Sequence, residues 1–268
     1  MRLIASDIDG TILGHDGKIS DRTVEAFAAA AAAGVDIVFV TGRPPRWLDP
    51  IRDQIGHTGT VICSNGAVSY DLATEHVTES HVLDWDTVAQ VRSIVSGLAP
   101  EPYFALESLQ GFHVEEGFLT ARTAASGEYF PGILTPDMAD SGIVKMLAVL
   151  HHGTADEFME LVSPAIGSLI AVTHSAPTMA MLEMGPLGVN KAVTLAKYAA
   201  ARGIDATDVV AFGDMPNDIE MLAWAGSGYA MASGHPDALA AAALQAPRFE
   251  SDGVAQVIES RLAALRLA

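Results

Sequence analysis

The feature that most restricts the architecture is a strand, helix, strand alternation found near both ends of the sequence. Leu3-Ile4-Ala5 reads as a strand, Ser20 as the N-cap of a helix ending near Ala33, and Gly34 as its stop. The run over 35–40 reads as a second strand, Pro44-Pro45 suits the opening of another helix, and Val61-Ile62-Cys63 reads as a third strand. The same alternation returns as a helix over about 189–202, a strand over 209–212, a helix over about 217–225 and the run Gly228-Tyr229-Ala230-Met231. Strands separated by helices pair in parallel, so the two stretches predict one α/β core, a parallel sheet with helices on both faces.

Between them the pattern changes. A helix near 84–98, hairpin-like segments around 103–106 and 112–115, and β-rich runs at 144–150 and 172–184 predict a smaller inserted α+β domain. The expected division is therefore 1–82 and 184–268 for the core, with 83–183 as the insertion.

Composition excludes several classes. Half of the 268 residues are apolar and 18% are charged, with mean hydropathy +0.28, so the chain can fill a core. The most apolar stretch, 27–40, is broken by Gly34 and Asp36 and falls short of the ~20 residues that a membrane span requires. An acid at Asp7 comes too early for a signal peptide, and the expected address is cytoplasmic. The single cysteine, Cys63, suits a reducing compartment, reads as a small core residue, and cannot build a thiolate metal site, so any metal should have oxygen ligands. A net charge of −18 opposes binding to nucleic acid and to anionic membranes. A small anionic substrate then needs local cations or a bound metal.

The chemistry is concentrated just after the strands. Asp7 and Asp9, in Asp7-Ile8-Asp9-Gly10-Thr11, follow the first strand, and ligands of open α/β sheets bind beyond the carboxyl ends of strands. Two crowded carboxylates suit a hard cation such as Mg2+; the same residues would also suit an Asp-rich turn. Gly213-Asp214-Met215-Pro216-Asn217-Asp218 places a second acidic group after another strand and brings Asp214 toward Asp7, while Asp218 suits a helix N-terminus equally well. Thr41-Gly42-Arg43 offers a hydroxyl and an unhindered N–H to a phosphoryl oxygen, although a plain strand exit has the same composition. Lys191 stands at a helix start, where the dipole disfavours a cation, and so demands an anion beside it; a surface lysine is the ordinary alternative.

Taken together and in this order, these four motifs resemble the haloacid dehalogenase superfamily, and within it the Cof-type phosphatases, whose cap is inserted between the second and third motifs. Ser64-Asn65-Gly66-Ala67 and Ser251-Asp252-Gly253-Val254-Ala255 resemble the same branch, whereas Asp214-Met215-Pro216-Asn217 departs from the commoner Asp-Gly-x-Asn form. The resemblance implies a Rossmann-like core with an α+β cap, and a Mg2+-dependent hydrolase of small phosphomonoesters such as sugar phosphates. It implies Asp7 as nucleophile, forming an aspartyl-phosphate, and Asp9 as general acid and then base. It implies Mg2+ held by the Asp7 carboxylate, the Asp9 backbone carbonyl and Asp214, with Asp218 close by. Ile8, Thr41, Gly42, Lys191 and Asn217 are implied as holding the phosphoryl group.

Two other functions fit parts of the pattern. A sugar phosphomutase would use the same fold and differ in its products, and a non-enzymatic phospho-acceptor module would use acids, Mg2+ and a lysine but needs neither this length nor an inserted cap. Glu107, His113, Glu115, Arg122, Lys145 and His174 are candidates for substrate selection within the insertion; oligomeric state is not encoded in any feature. Gly226-Ser227-Gly228 lacks the third glycine and following helix of a dinucleotide loop, His151-His152 reads as a surface turn, and Met179, Met181 and Met184 read as strand packing.

Overall fold

The computed structural model describes residues 1–14, 16–56, 59–119, 129–176 and 179–267. They form two compact units, Met1–Glu79 with Asn190–Ala268, and Ser80–Val189 inserted between them in the chain. The insertion starts at Ser80 rather than 83, and at the other end its last strand runs on to Gly185, past 183, with the turn at Pro186 to Val189 before the next helix.

The first unit begins with strand β1 (Leu3–Ser6), helix α1 (Asp21–Ala32), strand β2 (Asp36–Val40), helix α2 (Asp49–Ile55), and strands β3 (Thr60–Cys63), β4 (Val68–Asp71) and β5 (His76–Ser80). The Ser20 hydroxyl caps α1 by accepting from the Thr23 N–H, and Gly34 leaves the helix with φ of +80°.

The inserted unit contains α3 (Trp85–Leu98), β6 (Tyr103–Ser108), β7 (Gly111–Val114), β8 (Phe130–Pro131), β9 (Ile143–Leu150), α4 (Ala155–Ile166), β10 (Ala171–Thr173) and β11 (Ala180–Gly185). Its six-stranded sheet has the order β10-β11-β9-β6-β7-β8 and is antiparallel except for β7 with β8. Val88, Val91 and Val95 of α3 and Phe158, Val162 and Ile166 of α4 bury one sheet face, which includes Met146, Leu182 and Met184. Helix α4 is an addition to the sequence reading; Thr154 and Glu157 form a capping box at its start.

The chain then returns to the first unit with α5 (Lys191–Ala200), β12 (Val209–Gly213), α6 (Ile219–Trp224), β13 (Ser227–Met231), α7 (Pro236–Ala241), β14 (Leu244–Ala246) and α8 (Gly253–Leu267). Its sheet has the order β14-β13-β12-β1-β2-β3-β4-β5. Pairing is parallel from β14 to β3 and becomes antiparallel between β3 and β4, an edge the sequence reading omitted. Helices α5 and α6 bury Leu3, Ala5, Val38 and Val40 on one face. Phe39 points to the other face, against Phe27 of α1, with ring centroids 5.3 Å apart. Among the described residues, no helix is long and apolar enough to cross a membrane.

Parallel pairing puts the carboxyl ends of β12, β1, β2 and β3 on one rim. Ser6 stands opposite both Phe212 and Phe39, so Asp7, just past the end of β1, lies beside the last residues of β12 and β2, Gly213 and Val40. At the strand after α6, a Cβ on Gly228 would overlap the Leu222 carbonyl, and one on Gly226 would overlap backbone at Ala206 and Thr207. These glycines therefore serve helix-to-strand packing. Gly228→Ala is expected to destabilise the fold by about 2 kcal/mol, as overpacking against backbone does, read as a lowered denaturant midpoint.

Candidate active site

Three carboxylates and one ammonium meet beyond the rim of the parallel sheet. Lys191 Nζ donates to Asp7 Oδ1 and to Asp218 Oδ1, each at 2.6 Å, and Lys191 is only 1% exposed. Asp7 and Asp214 are 6% and 9% exposed, and Asp218 is fully buried. One oxygen from each of these three acids lies within 4.8 Å of the others. The anion that Lys191 requires at its helix start is thus a pair of carboxylates from segments remote in sequence.

Each group is aimed by local structure. Asn190 caps α5 by accepting from the Val193 N–H at 2.8 Å, which fixes where Lys191 begins the helix. The turn at Pro216–Asp218 folds Asp218 back, so its Oδ2 accepts from the backbone N–H groups of Asp214 and Met215, both at 3.0 Å. Asp218 makes no side-chain cap to α6; it ties down the loop and neutralises Lys191. The Thr11 hydroxyl donates to Asp214 Oδ1 at 3.0 Å. Thr11 had no assigned role in the sequence reading, although it sits in the first motif.

The electrostatics are unbalanced. Three buried carboxylates against one ammonium leave two uncompensated negative charges, which is costly away from water. Burial, reinforced by Asp218, pushes the Asp214 carboxyl up to about 7 despite the Thr11 hydrogen bond. Burial also raises the Asp7 carboxyl, opposed by Lys191 and assisted by its acidic neighbours. For Lys191, burial works downward but Asp218 and Asp7 outweigh it, and the ammonium is held well above its ordinary range. An all-oxygen donor set with two negative charges in excess fits a divalent hard cation.

Asp9 stands apart from this cluster. Its side chain is 55% exposed, and Arg43 grips both oxygens, Nε to Oδ2 at 2.7 Å and Nη2 to Oδ1 at 2.6 Å. Arg43 also donates from Nη1 to the Trp47 carbonyl. Arg43 lay in the second motif without an assigned role.

The residues assigned to the phosphoryl group lie along the same rim. Thr41 is buried and its hydroxyl oxygen accepts from the Arg43 N–H at 3.0 Å, with Gly42 between them. Ile8 is buried and its carbonyl accepts from Ile12 and Leu13, so its N–H is the polar group it can offer. Asn217 Nδ2 donates to Asn65 Oδ1 at 3.0 Å.

In the inserted unit, Glu107 pairs in register with Lys145, and Lys145 Nζ donates to Glu183 Oε2 at 2.6 Å; all three are buried. Glu115 bonds Arg92 and accepts from the Phe104 N–H, and His174 bonds Asp156 at 2.8 Å. His113 packs on the Phe130 ring. Arg122 lies outside the described residues. His151 and His152 are exposed, Cys63 is buried, and Met184 packs in the core.

Comparison with known proteins gives the family and the fold. Residues 4–258 match the family model of haloacid dehalogenase-like hydrolases. The 5-amino-6-(5-phospho-D-ribitylamino)uracil phosphatase of Bacillus subtilis (strain 168) is 27% identical over 268 residues, which cover 96% of this chain and 96% of that protein. The HMP-PP phosphatase of Yersinia pestis (strain Pestoides F) is 29% identical over 243 residues, 88% of this chain and 85% of that one. Among solved structures, SMU.1108c of Streptococcus mutans UA159 has a TM-score of 0.84 at 20% identity, over 98% of this chain and 99% of that one. The sugar phosphatase BT4131, of subclass IIB, has a TM-score of 0.80 at 21% identity, over 97% and 98%. These structural likenesses establish the shared fold.

The raised Asp214 carboxyl has a consequence for stability. The folded protein keeps a proton to about pH 7 that the unfolded chain releases near its ordinary value of about 4. Folding is then favoured at lower pH, and stability falls as pH rises between those values. In EDTA, the melting temperature is expected to drop from about pH 5 to 7, by at most about 1.4 kcal/mol of stability per pH unit for one proton. Saturating Mg2+ is expected to flatten that slope, and so is Asp214→Asn.

Proposed function

This chain belongs to the haloacid dehalogenase-like hydrolase family, and on that premise we propose that it is a Mg2+-dependent phosphatase of small phosphomonoesters, sugar phosphates or related metabolites, acting through an aspartyl-phosphate on Asp7. The observation that carries this reading is the convergence of Asp7, Asp214 and Asp218 on buried Lys191. The phosphatases among its relatives, one of a phosphoribitylamino-uracil and one a sugar phosphatase, support a small phosphorylated metabolite as substrate.

Asp7, the Asp9 backbone carbonyl and Asp214 would hold Mg2+, with Asp218 alongside. Bound there, the ion supplies Lewis-acid neutralisation of phosphoryl charge. The Asp7 carboxylate attacks phosphorus as the bond to the leaving oxygen breaks, and the Asp9 carboxyl gives that oxygen its proton, releasing the alcohol. Asp9 then takes a proton from the water that attacks phosphorus, and Asp7 is restored as inorganic phosphate leaves. Lys191 favours the ionised form of Asp7 against the burial that raises its carboxyl and, with Thr41, the Ile8 and Gly42 N–H groups and Asn217, balances charge on the phosphoryl oxygens. The bidentate Arg43 grip orients the Asp9 carboxylate beside the site. The insertion, expected over 83–183, would act as a cap that selects the leaving group, with Glu107, His113, Glu115, Lys145 and His174 as its candidate residues. The single buried cysteine suits a cytoplasmic setting.

A phosphate-release screen over phosphorylated sugars, nucleotides and cofactors tests the reading. Turnover that requires Mg2+ and stops with EDTA is expected. A product that retains its phosphate at a new position would favour a mutase. Asp7→Asn is nearly isosteric and is expected to fold yet lose about a thousandfold or more in kcat; near-normal turnover would remove Asp7 as nucleophile. Asp9→Ala is expected to lose more rate on alkyl phosphates than on p-nitrophenyl phosphate, whose leaving group needs little protonation. Equal losses on both would remove Asp9 as the acid.

A further inference from the structure

The Ser64-Asn65-Gly66 turn is a motif that the chemistry above leaves without a task, and its backbone is costly. Ser64 and Asn65 are successive non-glycine residues with φ of +49° and +56°, and Gly66 follows at +102°. Left-handed backbone of this kind costs about 1 kcal/mol or more per non-glycine residue and persists only where its surroundings over-determine it.

The surroundings do so from three sides. The Ser64 N–H donates to the Arg43 carbonyl at 2.9 Å, and the Asn65 N–H donates to the Thr41 carbonyl at 3.0 Å. The Thr194 hydroxyl donates to the Gly66 carbonyl at 2.8 Å. A Cβ on Gly66 would overlap the Asn190 carbonyl, immediately before Lys191. The turn therefore joins the segment after β2 to the start of α5.

Its remaining contact reaches the segment after β12. Asn65 Oδ1 accepts from Asn217 Nδ2 at 3.0 Å, and among the described residues this is the only hydrogen bond of the Asn217 carboxamide. Asn217 is 6% exposed, and its Oδ1 is buried without a hydrogen-bond partner among the described residues. Among the described residues, no other hydrogen bond fixes the plane of that amide.

We propose that Asn65 is a positioning residue: the strained turn holds its carboxamide so that it takes one Nδ2 proton of Asn217 and aims the other at a phosphoryl oxygen. This deepens the proposed function and rests on its assignment of Asn217 to the phosphate. The proposal gives Asn65 no contact of its own with substrate. Its effect on phosphate binding must pass entirely through Asn217.

A double-mutant cycle tests this on the full chain with Mg2+, using p-nitrophenyl phosphate as substrate and inorganic phosphate as competitive inhibitor. Asn65→Gly removes the amide while relieving the left-handed backbone, so the melting temperature should not fall. It is expected to weaken phosphate inhibition about tenfold, the equivalent of about 1.4 kcal/mol. Asn217→Ala is expected to weaken it by a similar factor, and the double variant is expected to be no weaker than Asn217→Ala alone. Unchanged inhibition in Asn65→Gly would overturn the proposal, as would equal losses from Asn65→Gly with and without Asn217. A wild-type protein that neither hydrolyses the ester nor is inhibited by phosphate would instead overturn the phosphatase reading, and this inference with it.

Discussion

A lysine that is almost wholly buried at the first turn of a helix is among the least favourable placements for a cation, since burial and the helix dipole both oppose it. It stands here because Asp7, at the end of β1, and Asp218, in the turn after β12, accept hydrogen bonds from its ammonium at 2.6 Å. That interaction ties β1, α5 and the loop after β12 into one centre. It also creates the problem the centre must solve, because Asp214 is buried beside it and the acids then outnumber the ammonium by two. A carboxyl pushed up to about 7 is the response of the protein alone, and a divalent cation is the response that leaves every acid ionised.

The sheet makes this meeting possible. Parallel register puts Asp7 next to the residues following Phe212 and Phe39, so side chains about 200 residues apart in sequence become neighbours. The segments after β1, β2, β3 and β12 are bonded to one another: Asp214 to Thr11, Asn65 to Thr41, Ser64 to Arg43 and Asn217 to Asn65. Such a network can hold like charges close together, and catalysis that depends on pre-set charge needs groups that do not relax.

Much of this was legible in the sequence, for identifiable reasons. Apolar runs ending in Asp7, Thr41 and Asp214 mark both strand and site, because the chemistry begins where each strand stops. Lys191 was informative through its misfit with the helix dipole. The role of Asp218 was open, since its position suits a helix cap or a cation ligand; only the turn at Pro216–Asp218 sends its oxygens to Lys191 and to the Asp214 and Met215 amides. The conformation of Ser64 and Asn65 was invisible, because neither residue type requires a left-handed backbone. Arg43 could have faced substrate as readily as Asp9. Strand β4, only Val68–Asp71, was too short to read by alternation, and α4 carries Pro164 within its helical run although its capping box was present.

The most direct measurement is the anomalous difference map of crystals soaked with Mn2+, which replaces Mg2+ and can be located by its own scattering. The account places one strong peak within coordination distance of the Asp7 and Asp214 carboxylates and the Asp9 carbonyl. A strong peak elsewhere, with none between those acids, would contradict it.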